Sequence, residues 1–470
     1  METYYLAVDI GASSGRHMLG HLEQGKMVLE EIYRFENGMK RQDGKLCWDV
    51  KGLFQEIMAG IKVCKEIGKI PVSMGIDTWA VDYVLLDGQD QILGDTYGYR
   101  DSRTGGMDEE VYRIIPEEKL YARTGIQKQI FNTIYQLMAV KKAHPEYLEQ
   151  AKTFLMLPDY FHFLLTGEKR SEYTNATSTQ LVNAGTNQWD TELIELLGFN
   201  REMFLPLSQP GTVVGHFRKE IAEQVGYDCQ VVLPATHDTG SAVMAVPCVE
   251  EDCLYISSGT WSLMGIESRK AICTEESRKR NFTNEGGYEY RYRYLKNIMG
   301  LWMIQSVRHE LNDAYSFAQL CDLAVESRDF SSRVDVNDQA FLAPEHMITA
   351  IQDACRASGQ PVPETPGQLA AVIYESLSDS YAETVQEIEG LTGVHYDTIH
   401  IVGGGSNADY LNRLTAAKSG RKVLAGPGEA TAIGNLMAQM IRQGELQGLK
   451  AARACVLASF PIREYGSENH

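Results

Sequence analysis

The sequence has no long apolar run, and none of its apolar stretches approaches the roughly 18 residues that a membrane-spanning helix needs. It also has no block of basic residues: 44 Lys and Arg against 63 Asp and Glu give a formal net charge of −19. Because nucleic acids and anionic membranes attract basic surfaces, we expect neither as a partner. Small phosphate compounds need only local positive groups, so they are compatible with this charge.

Paired cysteine motifs are also absent. The nine cysteines include no Cys-x-x-Cys pair, and the closest two are Cys248 and Cys253. This odd, scattered set favours reduced thiols in a cytosol over a disulfide framework or a zinc site. Residues 1–8 contain no basic segment and Asp9 interrupts the first apolar run, so we expect no secretory signal and a cytoplasmic location. The 11 histidines show no His-x-x-x-His pair beside an acid, which argues against a histidine metal site.

No low-complexity linker divides the chain, whose 470 residues suffice for two or three domains. An apolar content of 44% and a charged content of 23% are ordinary for globular proteins. Short strand-like runs, such as residues 71–77 and 399–403, alternate with longer amphipathic stretches, such as residues 50–68 and 369–391. This alternation predicts an α/β fold.

The stretch LAVDIGASSGRHMLGHLE (residues 6–23) places small polar residues after an apolar run, as phosphate loops do. It is not a P-loop, because Arg16 and His17 follow Gly15. It is not a dinucleotide loop either, because a second strand follows instead of a helix. Such a hairpin can still offer backbone N–H groups to an anion, with Asp9 near a hydrated Mg²⁺ and Arg16 near phosphate oxygens. The alternative is a surface hairpin whose aspartate has only structural partners.

A second strand–loop–strand element, CLYISSGTWSLMGI, occupies residues 253–266. Each half of the chain therefore starts with a hairpin that carries Ser and Gly. Two such loops, one from each domain, could bind one polyphosphate between them. The alternative is a chance likeness between two short hairpins.

A third glycine loop, IHIVGGGSNADYLNR, occupies residues 399–413 and predicts a strand, a glycine turn and a helix. It formally matches the Gly-x-Gly-x-x-Ala pattern, so nicotinamide or flavin binding is one interpretation. However, the next strand, residues 422–426, ends without the acid that would hold a ribose. The other interpretation is that the glycine backbone passes close to a flat nucleoside.

Asp238 lies between a strand-like run and a small-residue helix in VVLPATHDTGSAVMAV (residues 231–246). An aspartate at this position often caps the helix. A carboxylate there also stays ionised at neutral pH and can accept the proton of a hydroxyl that attacks phosphorus. The neighbouring His237 could orient such a hydroxyl, or it has a structural role.

Polar and aromatic side chains are concentrated in residues 75–103. Carboxylates and guanidinium groups bind hydroxyls, and an aromatic ring can pack against the C–H face of a polyol, so this region is a candidate sugar site. The alternative is a solvated loop with ion pairs. The residues concerned are Asp77, Trp79, Asp82, Arg100, Asp101 and Arg103.

Taken together, these pieces resemble the FGGY carbohydrate kinases of the sugar kinase/Hsp70/actin superfamily. Each motif alone is weak, but they occur in order over nearly the whole chain. Besides the three glycine-containing loops and the His-Asp-Thr segment, the stretches that carry the resemblance are GIDTWAVDYVLLD, YRDSRT, LMLPDYFHFLLTG, EYTNATSTQLVN, TNEGG and LKNIMGLW.

The resemblance implies an α/β protein of two actin-like (ribonuclease H-like) domains with an ATP and sugar cleft between them. We place the N-terminal domain at residues 1–241 and the C-terminal domain at residues 242–470. The implied cofactors are ATP and Mg²⁺, with Asp9 near the metal, most simply through water. The residues implied to contact ATP are Ala12, Ser13, Ser14, Gly15, Arg16, Thr260, Gln305 and Gly404.

The same resemblance makes Asp238 the proton acceptor for the 1-hydroxyl of a ketose. His237, Thr239 and Asn297 would touch the sugar, together with the backbone at Ala80. The family often has glycine where this chain has Ala80. The added methyl group narrows the pocket and therefore bears on which ketose is preferred.

The implied activity is ATP-dependent phosphorylation of L-rhamnulose at its 1-hydroxyl, in L-rhamnose breakdown, by a monomer or small homo-oligomer. One alternative is a kinase for a related ketose, L-fuculose or L-ribulose. Another is an actin- or Hsp70-like ATPase switch that uses no sugar. We expect no peptide-binding domain, and the polar cluster of residues 75–103 would have no role in such a switch.

Overall fold

A computed structural model describes residues 2–250, 253–342 and 344–466. Within these residues the strands are β1 (Tyr4–Ile10), β2 (Ser14–Glu23), β3 (Lys26–Glu36), β4 (Lys40–Gln42), β5 (Lys45–Cys47), β6 (Pro71–Thr78), β7 (Tyr83–Leu86), β8 (Thr153–Met156), β9 (Ser171–Glu172), β10 (Val182–Asn183), β11 (Gln188–Trp189), β12 (Leu207–Ser208), β13 (Val213–His216), β14 (Gln230–Val232), β15 (Leu254–Ser258), β16 (Trp261–Ser268), β17 (Phe282–Gly286), β18 (Tyr292–Met299), β19 (Thr398–Val402), β20 (Lys422–Ala425) and β21 (Arg463–Tyr465).

The α-helices of the described residues alternate with these strands, as the sequence predicts. They are α1 (Val50–Glu66), α2 (Met107–Tyr112), α3 (Glu117–Thr124), α4 (Thr133–Ala143), α5 (Pro145–Gln150), α6 (Leu157–Thr166), α7 (Tyr173–Thr177), α8 (Thr191–Leu196), α9 (Lys219–Val225), α10 (Asp238–Met244), α11 (Glu275–Lys279), α12 (Trp302–Glu310), α13 (Phe317–Glu326), α14 (Met347–Ala357), α15 (Pro366–Thr392), α16 (Asp409–Ser419), α17 (Ala430–Gln443) and α18 (Gly448–Ser459).

The described residues form two compact units. The first contains residues up to 245 together with residues 268–294 and 431–459. The second contains the described part of residues 246–267 and 295–430, together with residues 460–466. The predicted α/β class is confirmed, whereas a division of the chain between residues 241 and 242 stays a prediction.

The first unit is built on a six-stranded sheet of order β13-β14-β6-β1-β2-β3. The run β1-β2-β3 is antiparallel, so the predicted strand–loop–strand element at residues 6–23 is confirmed. On its other side β1 pairs in parallel with β6, and β6 pairs in parallel with β14. The carboxyl ends of three parallel strands therefore meet at one edge of this sheet.

Both faces of this sheet are covered, which explains why β1 is buried along nearly its full length. On one face Val8 and Ile10 belong to a core that also contains Leu53 and Ile57 of α1. On the other face Leu436 of α17 lies against Gly20 of β2. Because successive strand residues point to opposite faces, Asp9 shares the face of α17. A second apolar core of this unit surrounds the β7–β8 hairpin and α4.

In the second unit the hairpin β15–β16 confirms the predicted element at residues 253–266. The strands follow the order β16-β15-β19-β20-β21, and β15, β19 and β20 are parallel. The long helix α15 has a Thr365–Gln368 capping box and a proline in its first turn. It ends at Gly393, whose φ of 72° is left-handed.

The glycine at position 434 of α17 permits a close approach to α10 in the first unit. A Cβ atom at Gly434 would lie 1.8 Å from the carbonyl oxygen of Ser241. Such a contact is impossible without moving one helix, so any larger side chain must displace the segment that follows Asp238.

We therefore expect Gly434→Ala to destabilise the first unit. Overpacking against backbone should cost about 3 kcal/mol, which corresponds to a melting temperature lower by about 5 °C for a unit of this size. The matched control is Gly390→Ala in α15, because a Cβ atom there meets nothing within 4 Å. This control should leave the melting temperature unchanged or slightly raised, since alanine favours a helix. Equal melting temperatures of the two variants in calorimetry would contradict the close approach.

Two further expectations are answered by the fold. Cys248 and Cys253 are joined by a disulfide, so the expectation of an entirely reduced set of thiols is wrong for this pair. The reason is local: the chain brings their Cα atoms to 6.3 Å, although the spacing matches no familiar motif. Among the helices of the described residues, none combines the length and apolar character that crossing a membrane requires.

Candidate active site

Carboxylates gather at the edge of the first unit's sheet where the parallel strands end. Asp9 and Asp77 are register partners in the parallel pair β1–β6. On the next segment, a parallel bridge joins Thr78 to His237, directly before Asp238. The three aspartates are close enough for the charges of Asp9 and Asp238 to act on Asp77. The topology therefore assembles a site from residues that are far apart in the sequence.

The turn between β1 and β2 is short and well supported. Gly11 N donates to Ser14 O (2.8 Å), which closes the turn. Asn37, just after β3, donates from its side-chain amide to Gly11 O (2.8 Å) and from its backbone to Ser13 O (3.0 Å). Ala12 and Ser13 keep exposed surface at the tip. The turn is therefore held rigidly while its small residues stay accessible to a ligand.

The arginine predicted to contact phosphate is paired with the aspartate predicted to lie near a metal. Arg16 Nε and Nη2 lie 3.1 and 3.0 Å from Asp9 Oδ2, and the two residues are register partners across the hairpin. Beside them, a Cβ atom at Gly15 would lie 2.1 Å from the ring of Phe35, so this position needs glycine. The hairpin thus brings the guanidinium of Arg16 and the carboxylate of Asp9 together beside the turn.

Asp77 is the most deeply buried of the three carboxylates. Asn435 Nδ2 of α17 donates to its Oδ2 (2.6 Å), while its Oδ1 has no hydrogen-bond partner among the described residues. Burial and the negative charge of Asp9 raise the pKa of Asp77 well above its ordinary value. A buried carboxylate oxygen without a donor, beside other carboxylates, favours a nearby cation or proton.

Asp238 is the first residue of α10, and His237 is the cap residue, so the expected aspartate cap is wrong. The carboxylate instead accepts from Thr239 N (2.6 Å) and Thr239 Oγ1 (3.2 Å), both through Oδ1. Its Oδ2 receives no hydrogen bond from any described residue, and 32% of the side chain is exposed. Burial and the charge of Asp9 raise the pKa of Asp238 to about 7, so the expectation that it stays fully ionised at neutral pH is wrong. A carboxylate with one open oxygen and this pKa is suited to general-base work.

Two residues that sequence reasoning missed surround His237. Arg293 of β18 places Nη2 3.0 Å from His237 Nδ1, and Glu285 of β17 places Oε2 3.3 Å from the same nitrogen. Arg293 and Glu285 also form an ion pair of 3.0 Å. Burial and the charge of Arg293 lower the pKa of His237 well below its ordinary value. The imidazole is therefore neutral.

Glu172 was missed as well. This buried carboxylate accepts from Thr236 N (3.0 Å) and Thr236 Oγ1 (2.7 Å), and also from Thr174 N (2.8 Å). It thereby ties the segment before Asp238 to α7. No local signal marks it, because its partner lies 64 residues away.

The segment after β6 is strained and held from several sides. Val81 has a left-handed φ of 67°, which is unfavourable for a β-branched residue. Its carbonyl accepts from Thr133 Oγ1 (2.7 Å), and its N–H donates to Ser178 Oγ (3.2 Å). Ala80, predicted to contact the sugar, lies next to this position and keeps exposed surface. Backbone strain of this kind is characteristic of ligand-binding segments.

Asp82 supports a pair of aromatic side chains, and its carboxylate is not open to a ligand. It accepts from Trp48 Nε1 (2.6 Å) and Trp79 Nε1 (2.9 Å), and the two indoles lie 4.0 Å apart by their centroids. Gln136 Nε2 donates to its other oxygen (3.0 Å). Burial raises the pKa of Asp82 to about 6. The residue therefore fixes the indole of Trp79 and is not free to bind a hydroxyl.

Asp101 and Arg103 likewise have structural partners. Asp101 accepts from Leu46 N (2.7 Å) and Arg103 N (3.0 Å), and it caps a 3₁₀ turn. Arg103 donates to the carbonyl oxygen and to Oε1 of Gln136 (2.9 and 2.6 Å). Arg100 donates to the hydroxyl of Tyr99 (3.1 Å). The solvated-loop alternative is also wrong here, because Asp101 is buried.

In the second unit the β15–β16 hairpin packs against the glycine loop that follows β19. A Cβ atom at Gly405 would lie 1.9 Å from Ser258 Oγ and 3.4 Å from Leu301. Gly403 has a left-handed φ of 83°. Glycine is therefore required by contacts within this unit, and the turn continues into a 3₁₀ helix and then α16.

The residues predicted to contact ATP in this unit lie around that packing. Trp302 N donates to Thr260 O (3.1 Å), so α12 starts on the hairpin turn. Gln305 follows one turn later in α12, and Gly404 precedes Gly405. Asn297, predicted to touch the sugar, lies in the part of β18 that belongs to this unit. The helix that contains Gln305 thus starts on the hairpin of Thr260, and the glycine loop of Gly404 packs against the same hairpin.

Comparison with known families gives matches over both halves of the chain. The profile described as "FGGY family of carbohydrate kinases, N-terminal domain" matches residues 4–245, and the corresponding C-terminal domain profile matches residues 254–442.

Individual proteins match over nearly the full length. The chain is 53% identical over 464 residues to a protein named rhamnulokinase from Halalkalibacterium halodurans, covering 99% of each. It is 50% identical over 465 residues to a rhamnulokinase from Oceanobacillus iheyensis, covering 99% of this chain and 98% of the other. The crystal structure of gluconate kinase from Lactobacillus acidophilus shares the fold, with a TM-score of 0.79 at 17% identity, covering 99% of this chain and 94% of that chain.

Proposed function

The chain belongs to the FGGY family of carbohydrate kinases, and we propose that it transfers the γ-phosphoryl group of ATP to the 1-hydroxyl of L-rhamnulose in L-rhamnose breakdown. The observation that carries the choice of sugar is the identity of 53% over 464 residues to a protein named rhamnulokinase. The geometry supports phosphoryl transfer, since Asp238 has one open carboxylate oxygen and the β1–β2 turn presents small residues. ATP and a ketose are thus the proposed partners, and a cytoplasmic location is part of the proposal.

In the proposed reaction the 1-hydroxyl oxygen of the ketose attacks the γ-phosphorus of ATP. The bond from this phosphorus to the β–γ bridging oxygen breaks, and ADP leaves with that oxygen. Asp238 accepts the hydroxyl proton on Oδ2, because Oδ1 is already occupied by Thr239. The products are ADP and the ketose 1-phosphate. Positioning and charge neutralisation supply most of the catalysis in such transfers.

We assign the phosphates of ATP to the β1–β2 turn, where Ala12, Ser13 and Ser14 offer backbone N–H groups and Gly15 allows close packing. Arg16 supplies positive charge beside this turn, and its pairing with Asp9 orients the guanidinium. In the second unit we assign Thr260, Gln305 and Gly404 to ATP.

The residues present fit Mg²⁺ bound chiefly through phosphate and water. No group of three or more His, Cys, Asp and Glu side chains is arranged to hold a metal within the described ranges. Mg²⁺ commonly uses one or two carboxylates plus substrate phosphates, and Asp9 with the open Oδ1 of Asp77 meets that pattern. Bound there, the ion would neutralise phosphate charge during the transfer.

For the sugar we assign Ala80, His237, Thr239 and Asn297 to its hydroxyls. The fixed indole of Trp79 supports the segment that carries Ala80. His237 is neutral and almost fully buried, so it can hydrogen-bond a hydroxyl without bringing a charge into the site.

A panel of ketoses tests the choice of sugar. We expect kcat/KM to be highest for L-rhamnulose, followed at a distance by L-fuculose and L-ribulose, with D-xylulose as a further member of the panel. The measurement is ADP release in a coupled assay with each ketose at several concentrations. A higher kcat/KM for L-fuculose or L-ribulose would reject L-rhamnulose as the substrate but would leave the proposed kinase activity standing. Steady ATP hydrolysis that no ketose changes would reject the kinase and favour an ATPase switch.

The pH profile tests the proposed base. Asp238 must be ionised to accept a proton, and its pKa is raised to about 7. The value of kcat/KM for the ketose reports the free enzyme, so it should fall about tenfold per pH unit on the acid side of neutrality. It should level off on the alkaline side. A profile that is flat from about pH 6 to about pH 8 would contradict an essential base with this pKa.

A further inference from the structure

We infer that Arg293 is a positioning residue: it holds His237 in the tautomer that carries its proton on Nε2, beside Oδ1 of Asp238, while Oδ2 of Asp238 is the proton acceptor. This inference rests on the proposed role of Asp238, but the state of His237 can be measured without any substrate. The residues concerned, Arg293, Glu285, His237 and Asp238, all lie in the first unit.

Arg293 is fully buried, and its guanidinium contacts three partners. Its side chain is 0% exposed. Nε donates to Gly286 O (2.9 Å), Nη1 lies 3.0 Å from Glu285 Oε2, and Nη2 lies 3.0 Å from His237 Nδ1. Glu285 balances the buried positive charge, which would otherwise be costly. The guanidinium fork is therefore fixed in direction, with one arm on the imidazole.

The chemistry of the guanidinium determines the direction of that contact. Arginine offers only N–H donors and stays protonated in proteins. His237 Nδ1 must therefore be the acceptor, since a proton on Nδ1 would oppose the N–H of Arg293 Nη2 at 3.0 Å. Glu285 Oε2 lies 3.3 Å from Nδ1, but no hydrogen bond joins these two atoms, whereas the contact of Arg293 Nη2 with Nδ1 is one. A neutral imidazole whose Nδ1 accepts carries its proton on Nε2.

The Nε2–H then lies beside the carboxylate of Asp238 and is left to donate to a sugar hydroxyl. His237 Nε2 lies 3.4 Å from Asp238 Oδ1, the oxygen that also accepts from Thr239 N and Thr239 Oγ1. Thr239 supplies both hydrogen bonds to Oδ1, the Nε2–H of His237 lies beside the same oxygen, and no described residue donates to Oδ2. The chain of contacts from Arg293 through His237 therefore places a polar N–H beside Oδ1, while Oδ2 remains for a substrate hydroxyl.

A purely structural arginine would not have this consequence. If Arg293 only filled a buried space, its loss would lower stability and leave the tautomer of His237 unchanged. If it sets the tautomer, its loss frees Nδ1 to donate to Glu285, and the proton moves from Nε2 to Nδ1. The polar N–H beside Oδ1 of Asp238 is then lost, and Nε2 can no longer donate to a sugar hydroxyl.

The test combines NMR and kinetics. In the wild-type protein labelled with ¹⁵N-histidine, the His237 signals, identified by their loss in His237→Gln, should show neutral imidazole with the proton on Nε2. Arg293→Met should shift population to the Nδ1–H form. It should lower kcat by about tenfold to 100-fold, because supporting contacts have effects of this size. The KM for ATP should change by less than about twofold.

Several comparisons make the outcome decisive. Arg293→Lys keeps the charge but lacks the planar fork. We therefore expect its kcat and its Nδ1–H population to lie between those of Arg293→Met and the wild-type protein. Arg280→Met removes an exposed arginine of the same unit and should change nothing. If the Arg293 variants do not fold, the wild-type spectrum still decides: a proton on Nδ1, or a cationic His237, overturns the inference. The spectrum needs no sugar, so failure of the substrate choice leaves this result readable.

Discussion

Asp238→Asn is expected to lower kcat for ketose phosphorylation by about 10²–10⁴-fold, the usual loss when a general base is removed. The amide keeps the size of the carboxylate but cannot accept the hydroxyl proton. ATP should still bind, because the β1–β2 turn and the second-unit hairpin do not contain this residue. Rapid-quench or coupled kinetics give kcat, and calorimetry with a non-hydrolysable ATP analogue gives the nucleotide affinity.

The matched control for this variant is Asp43→Asn. Asp43 is exposed in the turn between β4 and β5 and has a left-handed φ of 49°, which asparagine tolerates. The Asp43→Asn variant should have the kcat of the wild-type protein. Retention of more than about a tenth of the wild-type rate by Asp238→Asn would be far outside the general-base range and would remove Asp238 from this role.

Arg16→Ala is expected to lower kcat/KM for ATP by about 10²-fold, the effect of losing one oriented donor to a charged transition state. Affinity for the ketose should change by less than about threefold, because the arginine lies on the phosphate hairpin. Arg16→Lys keeps a charge beside Asp9 but loses the two-pronged contact through Nε and Nη2, so it should recover only part of the activity.

Arg34→Ala is the control for this second prediction. Arg34 is the register partner of Arg16 on β3, but its side chain is half-exposed and pairs with Glu31. Its loss should leave both ATP and ketose kinetics unchanged. An equal loss of ketose and ATP affinity in Arg16→Ala, measured by calorimetry, would show that Arg16 supports the whole unit and does not act on phosphate.

The local elements of the site could be predicted from the sequence. The hairpins at residues 6–23 and 253–266 follow from alternation around turns of small residues, and both are confirmed. Asp238 was located correctly at the start of a helix, although His237 takes the cap position. Short-range signals of this kind depend on neighbouring residues, which a single sequence contains in full.

The supporting contacts could not be predicted because they join distant segments. Arg293 meets His237 across 56 residues, and Asn435 meets Asp77 across 358. Asp82 shows the converse error. A carboxylate in a polar, aromatic stretch suggests an open sugar ligand, yet burial and two indole donors make it an internal support. Which polar residue is buried depends on tertiary packing, and periodicity does not contain that information.

The most direct test of the account is the ³¹P NMR spectrum of the products formed from ATP and L-rhamnulose by the purified protein. The account predicts ADP and one sugar phosphate in equal amounts, with the sugar ³¹P signal coupled to the two methylene protons of C1. ADP accompanied by free phosphate, or a sugar phosphate without that coupling, would contradict transfer to the 1-hydroxyl.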